Sequence, residues 1–360
     1  MSCEKRKQSK SKFCHHSHFT VHISQLTIQY PVIGIFKQKN PVNFILLFIF
    51  GLLIKLPIFS TPQTPLLKDQ DGVFYTAIIR FLNPYSLKFS ALFGLLAFLI
   101  LFLQASLLNS FMNKQRMLNR QNYLPGLSYL LITSLFPEWN QFSAPLLATT
   151  FLLIILHGLF STYNQPNAKA AVFNNGFVLG IACFLFFPSL AFVVWIFLAM
   201  MVIRPFRPNE WLLCILGIMT PAYFYAVLLY LTDQWSWQAL IPKLHPGFPK
   251  IDQTILLAGS MLLLIVPFLT GSWYVQDNLR KVLINIRKAW SLFLLYMLAA
   301  MVVPFLQTSE NFENWILIAV PFAAFHASAY TFTVWRIISL LFFWLSVAFI
   351  LFSQYYANAW

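Results

Sequence analysis

Charge is what this sequence has least of. Only 9% of its 360 residues are Asp, Glu, Lys or Arg, and the carboxylates number 10. A soluble domain carries roughly 25% charged residues. So few charges cannot clothe a water-facing surface, and the outer surface must face lipid. Cysteine is scarce too. Cys3, Cys14, Cys183 and Cys214 have no metal-site spacing and imply no disulfide framework. No Gly-rich phosphate loop, haem motif, His-Glu-x-x-His or Gly-x-Ser-x-Gly segment occurs, so no local motif announces nucleotide, haem, zinc-protease or serine-hydrolase chemistry.

Long apolar runs fill the chain instead, which is 59% hydrophobic with 39 Phe. Eleven runs are bounded by polar or Pro-containing loops: 42–59, 89–111, 123–137, 143–160, 172–187, 190–203, 211–232, 253–272, 289–307, 315–329 and 331–353. They are continuous and do not alternate, which excludes β-barrel strands. The expected fold is an all-α polytopic transmembrane bundle of about eleven spans. A bilayer core takes about 20 helical residues, so the shorter runs read as tilted or partial spans.

The stretch 172–203 decides the topology. As one helix it would be about 48 Å long against a core of about 30 Å. Pro188 offers a break, so two helices are expected. With that count and a cytoplasmic N-terminus, Lys114, Arg116, Arg120, Lys169, Arg204, Arg207, Arg280, Lys281, Arg287 and Lys288 fall on inner loops. The outer loops keep only Lys68, Arg80, Lys88, Lys243 and Lys250, as the positive-inside rule requires, and the C-terminus is periplasmic. Asp69, Asp71, Glu138, Asp233, Asp252, Glu310 and Glu313 all fall outside. The net charge of +14 is therefore dispersed among membrane loops and is not a nucleic-acid footprint.

Residues 1–31 stand apart. They are basic and rich in His, with no apolar stretch of signal-peptide type, and read as a disordered tail, possibly foreign to the native chain. Residues 32–360 read as one integral membrane domain with its larger outer loops at 60–88 and 233–252.

The candidate chemistry lies in the first of those loops. Phe74, Ile78 and Phe81 recur at helical spacing, and Tyr75, Arg80, Tyr85 and Lys88 suit a headgroup layer, so a short interfacial helix is expected there. Asp69 and Asp71 stand just ahead of it. A carboxylate pair at the water boundary suits a general base, or a divalent-ion ligand, for a lipid-linked substrate. The plainer reading is a solvated turn with Asp71 capping the helix. Arg204 and Arg207 face the inner leaflet, where they suit lipid phosphates or serve only as topology signals. Lys55 and Arg336 lie near span ends and are expected to snorkel. His157 and His326 are too few for a catalytic metal, and packing roles are expected. Trp235 and Trp237 mark a headgroup belt. Nothing in the chain names a cofactor.

Four segments carry a resemblance: Asn119–Gly126, Ser134–Glu138, Tyr163–Lys169, and Arg204–Phe206 with Glu210–Trp211. Through them the chain resembles an uncharacterised family of Bacteroidota membrane proteins, the domain-of-unknown-function family numbered 6427, from about Ile33 onward. The resemblance implies the inner membrane of a Gram-negative cell and no established activity. The layout of the first outer loop is also similar to that of membrane glycosyltransferases that use polyprenyl-phosphate sugars. That likeness implies envelope assembly by lipid-linked glycan transfer on the periplasmic face, with Asp69 or Asp71 as base and a polyprenyl-linked lipid as partner. The alternatives are a non-enzymatic subunit or scaffold of an envelope or secretion machine, and a lipid or solute transporter.

Overall fold

The computed structural model describes residues 31–60, 64–65, 67–68, 71–86, 89, 91–236, 244–248, 255–307, 312–332 and 336–355. The basic tail before Pro31, and Asp69, Lys88, Trp237, Lys243, Lys250, Asp252 and Glu310, lie outside the described residues.

Among the described residues the chain is all-helical. In order, the helices are α1 (Pro31–Phe36), α2 (Pro41–Ile54), α3 (Pro57–Ser60), α4 (Val73–Ser86), α5 (Leu92–Lys114), α6 (Leu124–Ser134) and α7 (Ala144–Ser161). They continue with α8 (Lys169–Leu185), α9 (Ala191–Ile203), α10 (Pro208–Leu231), α11 (Ile255–Asn278), α12 (Ile284–Leu306), α13 (Ala319–Phe332) and α14 (Arg336–Tyr355). Three-ten turns stand at Pro137–Asn140, Phe187–Leu190, Leu279–Lys281 and Phe312–Ile318. Six helices are long and apolar enough to cross a membrane, namely Leu92–Lys114, Ala144–Ser161, Pro208–Leu231, Ile255–Lys281, Ile284–Leu306 and Phe312–Phe332. Five shorter apolar helices accompany them.

Local chemistry sets the helix starts. Asn40 caps α2, its Oδ1 accepting from the Val42 N–H at 3.2 Å, and Pro41 opens the first turn. Ser143 caps α7 in the same way through the Leu146 N–H at 3.3 Å, again with Pro in the first turn. Both satisfy donors that lipid would leave bare.

Pro188 does break the chain. α8 ends at Leu185, Phe186 is extended, and α9 begins at Ala191. One continuous helix over 169–203 would hold its ends about 50 Å apart. Here Arg204, just past α9, donates to the Thr162 carbonyl, and Arg207 donates to the Pro166 carbonyl at 3.0 Å. Both residues accepting these bonds precede α8, so the two helices start and finish at one end of the bundle.

The same bookkeeping gathers the loops into two ends. At the basic end, Lys39 donates to Gln121 at 2.9 Å, and the Tyr123 N–H donates to the Phe36 carbonyl at 2.8 Å. Lys288 donates to the Ile203 carbonyl at 3.1 Å and lies 5.1 Å from the centre of the Tyr163 ring. At the opposite, carboxylate end, Lys68 pairs with Glu313, and the Trp139 Nε1–H donates to the Phe312 carbonyl at 2.9 Å.

The core is built around α6 and α13. Every residue of α6 is buried, and α13 is buried from Ala319 through Tyr330. α6 packs on α5 and α13, and α13 on α11. Neither is amphipathic, as expected of helices enclosed by other helices. A close, extended helix contact joins α8 to α10. A Cβ on Gly176 would stand 2.3 Å from the Cys214 carbonyl oxygen, and one on Gly217 would stand 2.4 Å from that of Phe173. Small residues let backbones approach where no water drives association. Gly176→Leu is expected to lower stability by about 2 kcal/mol or more, since overpacking typically costs about 1–3 kcal/mol and here meets backbone. Thermal unfolding in detergent micelles, compared with the unsubstituted chain, checks it.

Candidate functional site

The helix expected after Asp71 is present as α4, and its partners differ from those read off the sequence. Tyr75 does not sit in a headgroup layer. It is 2% exposed, and its hydroxyl donates to the Phe142 carbonyl at 3.0 Å. Ile79, one turn on, is buried beside it. Phe81, expected on the apolar face of an interfacial helix, is 69% exposed, whereas Phe74 and Ile78 of the same stripe pack against the core. Tyr75 turns inward with them because a carbonyl is there for its hydroxyl.

Asp71 lies at the head of α4, held from two directions. Its Oδ2 accepts the Lys68 N–H at 2.8 Å. Beside it the Gly72 N–H donates to the Leu185 carbonyl at 3.0 Å, pairing residues 71 and 186 as an isolated antiparallel bridge. A Cβ on Gly72 would stand 1.9 Å from the Phe184 carbonyl oxygen, so only glycine permits this docking. The head of α4 is thereby fastened to the tip of the α8–α9 hairpin.

Three carboxylates and one lysine act on one another at this end. Burial pushes the Asp71 carboxyl up from 3.8 to about 6; the Lys68 N–H opposes the rise, the Glu313 charge adds to it, and the Lys68 charge opposes it. Burial likewise raises Glu138, opposed by a backbone hydrogen bond, with Glu313 raising it further and Lys68 lowering it. Lys68 is committed to Glu313 as an ion pair. Among the described residues no three His, Cys, Asp or Glu side chains converge closely enough to hold a metal ion.

Lys55 overturns its sequence reading. It does not snorkel. It is 0% exposed, turned inward at the break between α2 and α3, and donates to Thr133 Oγ1 at 3.1 Å and to Asn140 Oδ1. Asn140 closes the Pro137–Asn140 turn that carries Glu138. The reason lies in position: Pro57 ends α2 early, and Lys55 faces α6 rather than the rim. Below it runs a further buried polar set. The Tyr129 hydroxyl donates to Gln104 Oε1 at 2.6 Å, and Gln104 Nε2 donates to the Leu146 carbonyl and Thr150 Oγ1, each at 2.7 Å. Single polar letters inside apolar runs were the one sequence signal for these residues.

The two arginines part company. Arg204 is buried and makes a two-pronged pair with Glu210, Nε to Oε2 at 3.0 Å and Nη2 to Oε1 at 2.9 Å, besides its bond to Thr162. Arg207 leaves half of its side chain exposed, with Glu210 Oε1 3.5 Å away. Thus Arg204 is a clasp within the protein, and Arg207 is the one open to an anion. His157 and His326 hydrogen-bond the Leu107 and Leu264 carbonyls at 2.9 and 2.8 Å, as packing residues do.

Apolar clefts flank the head of α4. One, of about 180 Å³, lies between Gly72–Val73, α8 and α10, with Cys183 and Phe184 in its wall. Another, of about 450 Å³, lies between α4, α7 and α8.

Residues 71–358 match the Family of unknown function (DUF6427). The chain belongs to this family. The matched region holds Asp71, Glu138, Glu313, Arg204 and Arg207; residues 33–70, where the resemblance was also expected, precede it. No curated protein and no solved structure matches the chain.

Two predictions follow from this geometry. Between 3.8 and about 6 the folded chain keeps a proton on Asp71 that the unfolded chain has lost. Stability therefore falls as pH rises through that window and is level above it, by on the order of 3 kcal/mol in all. Asp71→Asn is expected to reduce the slope in a pH series of unfolding midpoints, leaving the smaller part due to Glu138. At the buried lysine, Asn140→Leu strips one partner from the ammonium, at about 2–3 kcal/mol. Lys55→Met with Asn140→Leu is expected to recover most of that loss in a double-mutant cycle of thermal stability.

Proposed function

We propose that this is an inner-membrane protein of a Gram-negative cell with eleven crossings, its N-terminus cytoplasmic and its C-terminus periplasmic. Residues 1–31 form a basic tail and residues 32–360 one integral domain. The bonds from Arg204 to the Thr162 carbonyl and from Lys288 to the Ile203 carbonyl support the count. They bring the segment before α8, the end of α9 and the first turns of α12 to one end of the bundle, the end whose cations belong on the cytosolic face. Reporter fusions at Arg280–Lys288 should report cytosol; a periplasmic report overturns the topology.

We further propose that the periplasmic end acts in envelope assembly, on a polyprenyl-phosphate sugar, as a glycosyl-transfer site. One observation carries this: a largely buried carboxyl, Asp71, pushed up to about 6, beside an apolar cleft that starts at Gly72 and Val73. A base that exchanges its proton near neutral pH suits activation of a sugar hydroxyl. The cleft offers hydrocarbon a seat at the same point. Asp69 is the second candidate base or ion ligand, and Arg207, with Arg204 behind it, faces the phosphates of the inner leaflet.

A second reading, a non-enzymatic subunit of an envelope or secretion machine, is favoured by how fully these groups are used. Asp71 holds the Lys68 N–H, and Lys68 holds Glu313. The readings separate in one strain. Asp69→Asn with Asp71→Asn is expected to abolish envelope glycan products. Unchanged glycans, together with stable co-purifying proteins, would establish the subunit reading instead.

A further inference from the structure

The larger cleft beside α4 shares no wall residue with the Gly72–Val73 cleft. Phe74, Ala77 and Ile78 of α4, Phe151 of α7, and Ile181 and Leu185 of α8 wall it. All are apolar, so no ion, sugar or ordered water finds a partner there, and hydrocarbon is the only fitting guest. Its volume is about 450 Å³. The cleft has room for a segment of one hydrocarbon chain.

A headgroup anchor stands nearby. Arg80 lies about one turn along α4 from Ala77, exposed, and has no ion-pair or hydrogen-bond partner among the described residues. At a membrane surface an uncommitted guanidinium is matched to a phosphate, which it takes in a forked contact. Arg80 and the cleft thus lie about a helical turn apart, the spacing between a phospholipid's phosphate and the upper part of its chain.

We propose that this cleft seats one acyl chain of a membrane phospholipid, whose phosphate rests on Arg80. The lipid then acts as a fixed wedge between α4, α7 and α8, filling a space that side chains leave open. This assignment is independent of the glycan reading, which uses the other cleft.

The test is native mass spectrometry of the full chain released from detergent, with identification of the retained lipid. The unsubstituted protein is expected to keep one phospholipid. Arg80→Gln, at an exposed position, is expected to weaken retention at least tenfold, and Ala77→Trp, which fills the cleft, to abolish it. In vesicles of phosphatidylglycerol bearing a mid-chain diazirine, photolysis should label peptides containing residues 74–78, 147–151 or 181–185. The label does not depend on any variant folding. No retained lipid, retention of an isoprenoid phosphate in its place, an undiminished complex with Arg80→Gln, or labelling confined to other helices would each overturn the proposal.

Discussion

Hydrocarbon offers no hydrogen bonds. The charges and most of the donors and acceptors that this chain carries into the bundle find a partner within the protein; the Tyr296 hydroxyl and Ser128 Oγ are among the exceptions. That requirement explains the geometry of Lys55 better than any local propensity. An ammonium near a span end ordinarily reaches for the rim. Here α2 stops one residue earlier, the chain turns at Lys55–Leu56, and the side chain is enclosed by Thr133 and Asn140. The same rule accounts for Arg204, whose donors go to Glu210 and the Thr162 carbonyl. It also accounts for Gln104 and Tyr129, which satisfy one another in the interior.

Much of the architecture was legible from runs of apolar letters. Each of the eleven runs coincides with helix, and the break at Pro188 falls between α8 and α9. The interfacial segment after Asp71 is helical as its spacing predicts, yet its facing was misread. Tyr75 passes for a headgroup residue by composition, and only the Phe142 carbonyl behind it shows why it turns inward. Lys55 was misread for a related reason. Its distance from the nearest loop is visible in sequence, but the early end of α2 and the presence of Asn140 across the bundle are not. Long-range partners such as Lys68 with Glu313, 245 residues apart, leave no trace in local pattern.

The candidate site is built almost wholly of such long-range partners. Asp71 comes from the first outer loop, Glu138 from the turn after α6, and Glu313 from the segment before α13. The sequence groups them only as carboxylates of one side. Folding brings Asp71 and Glu138 within reach of the Glu313 charge, where withdrawal from water and that repulsion both favour protonation of the two. The basic end lacks this property. There Glu210 pairs with Arg204 and approaches Arg207, so the one buried carboxylate of that end is neutralised by arginine.

The backbone bond from Gly72 to Leu185, with the Phe74 and Phe184 rings 5.2 Å apart beside it, fastens the start of α4 to the tip of the α8–α9 hairpin. Glycine's missing side chain makes that joint flush against Phe184. Because α8 is locked to α10 by backbone-to-backbone contact, the tip cannot rise or sink alone. The surface helix α4 and the α8–α10 pair are thereby joined into one rigid unit, so α4 keeps a fixed depth relative to that pair.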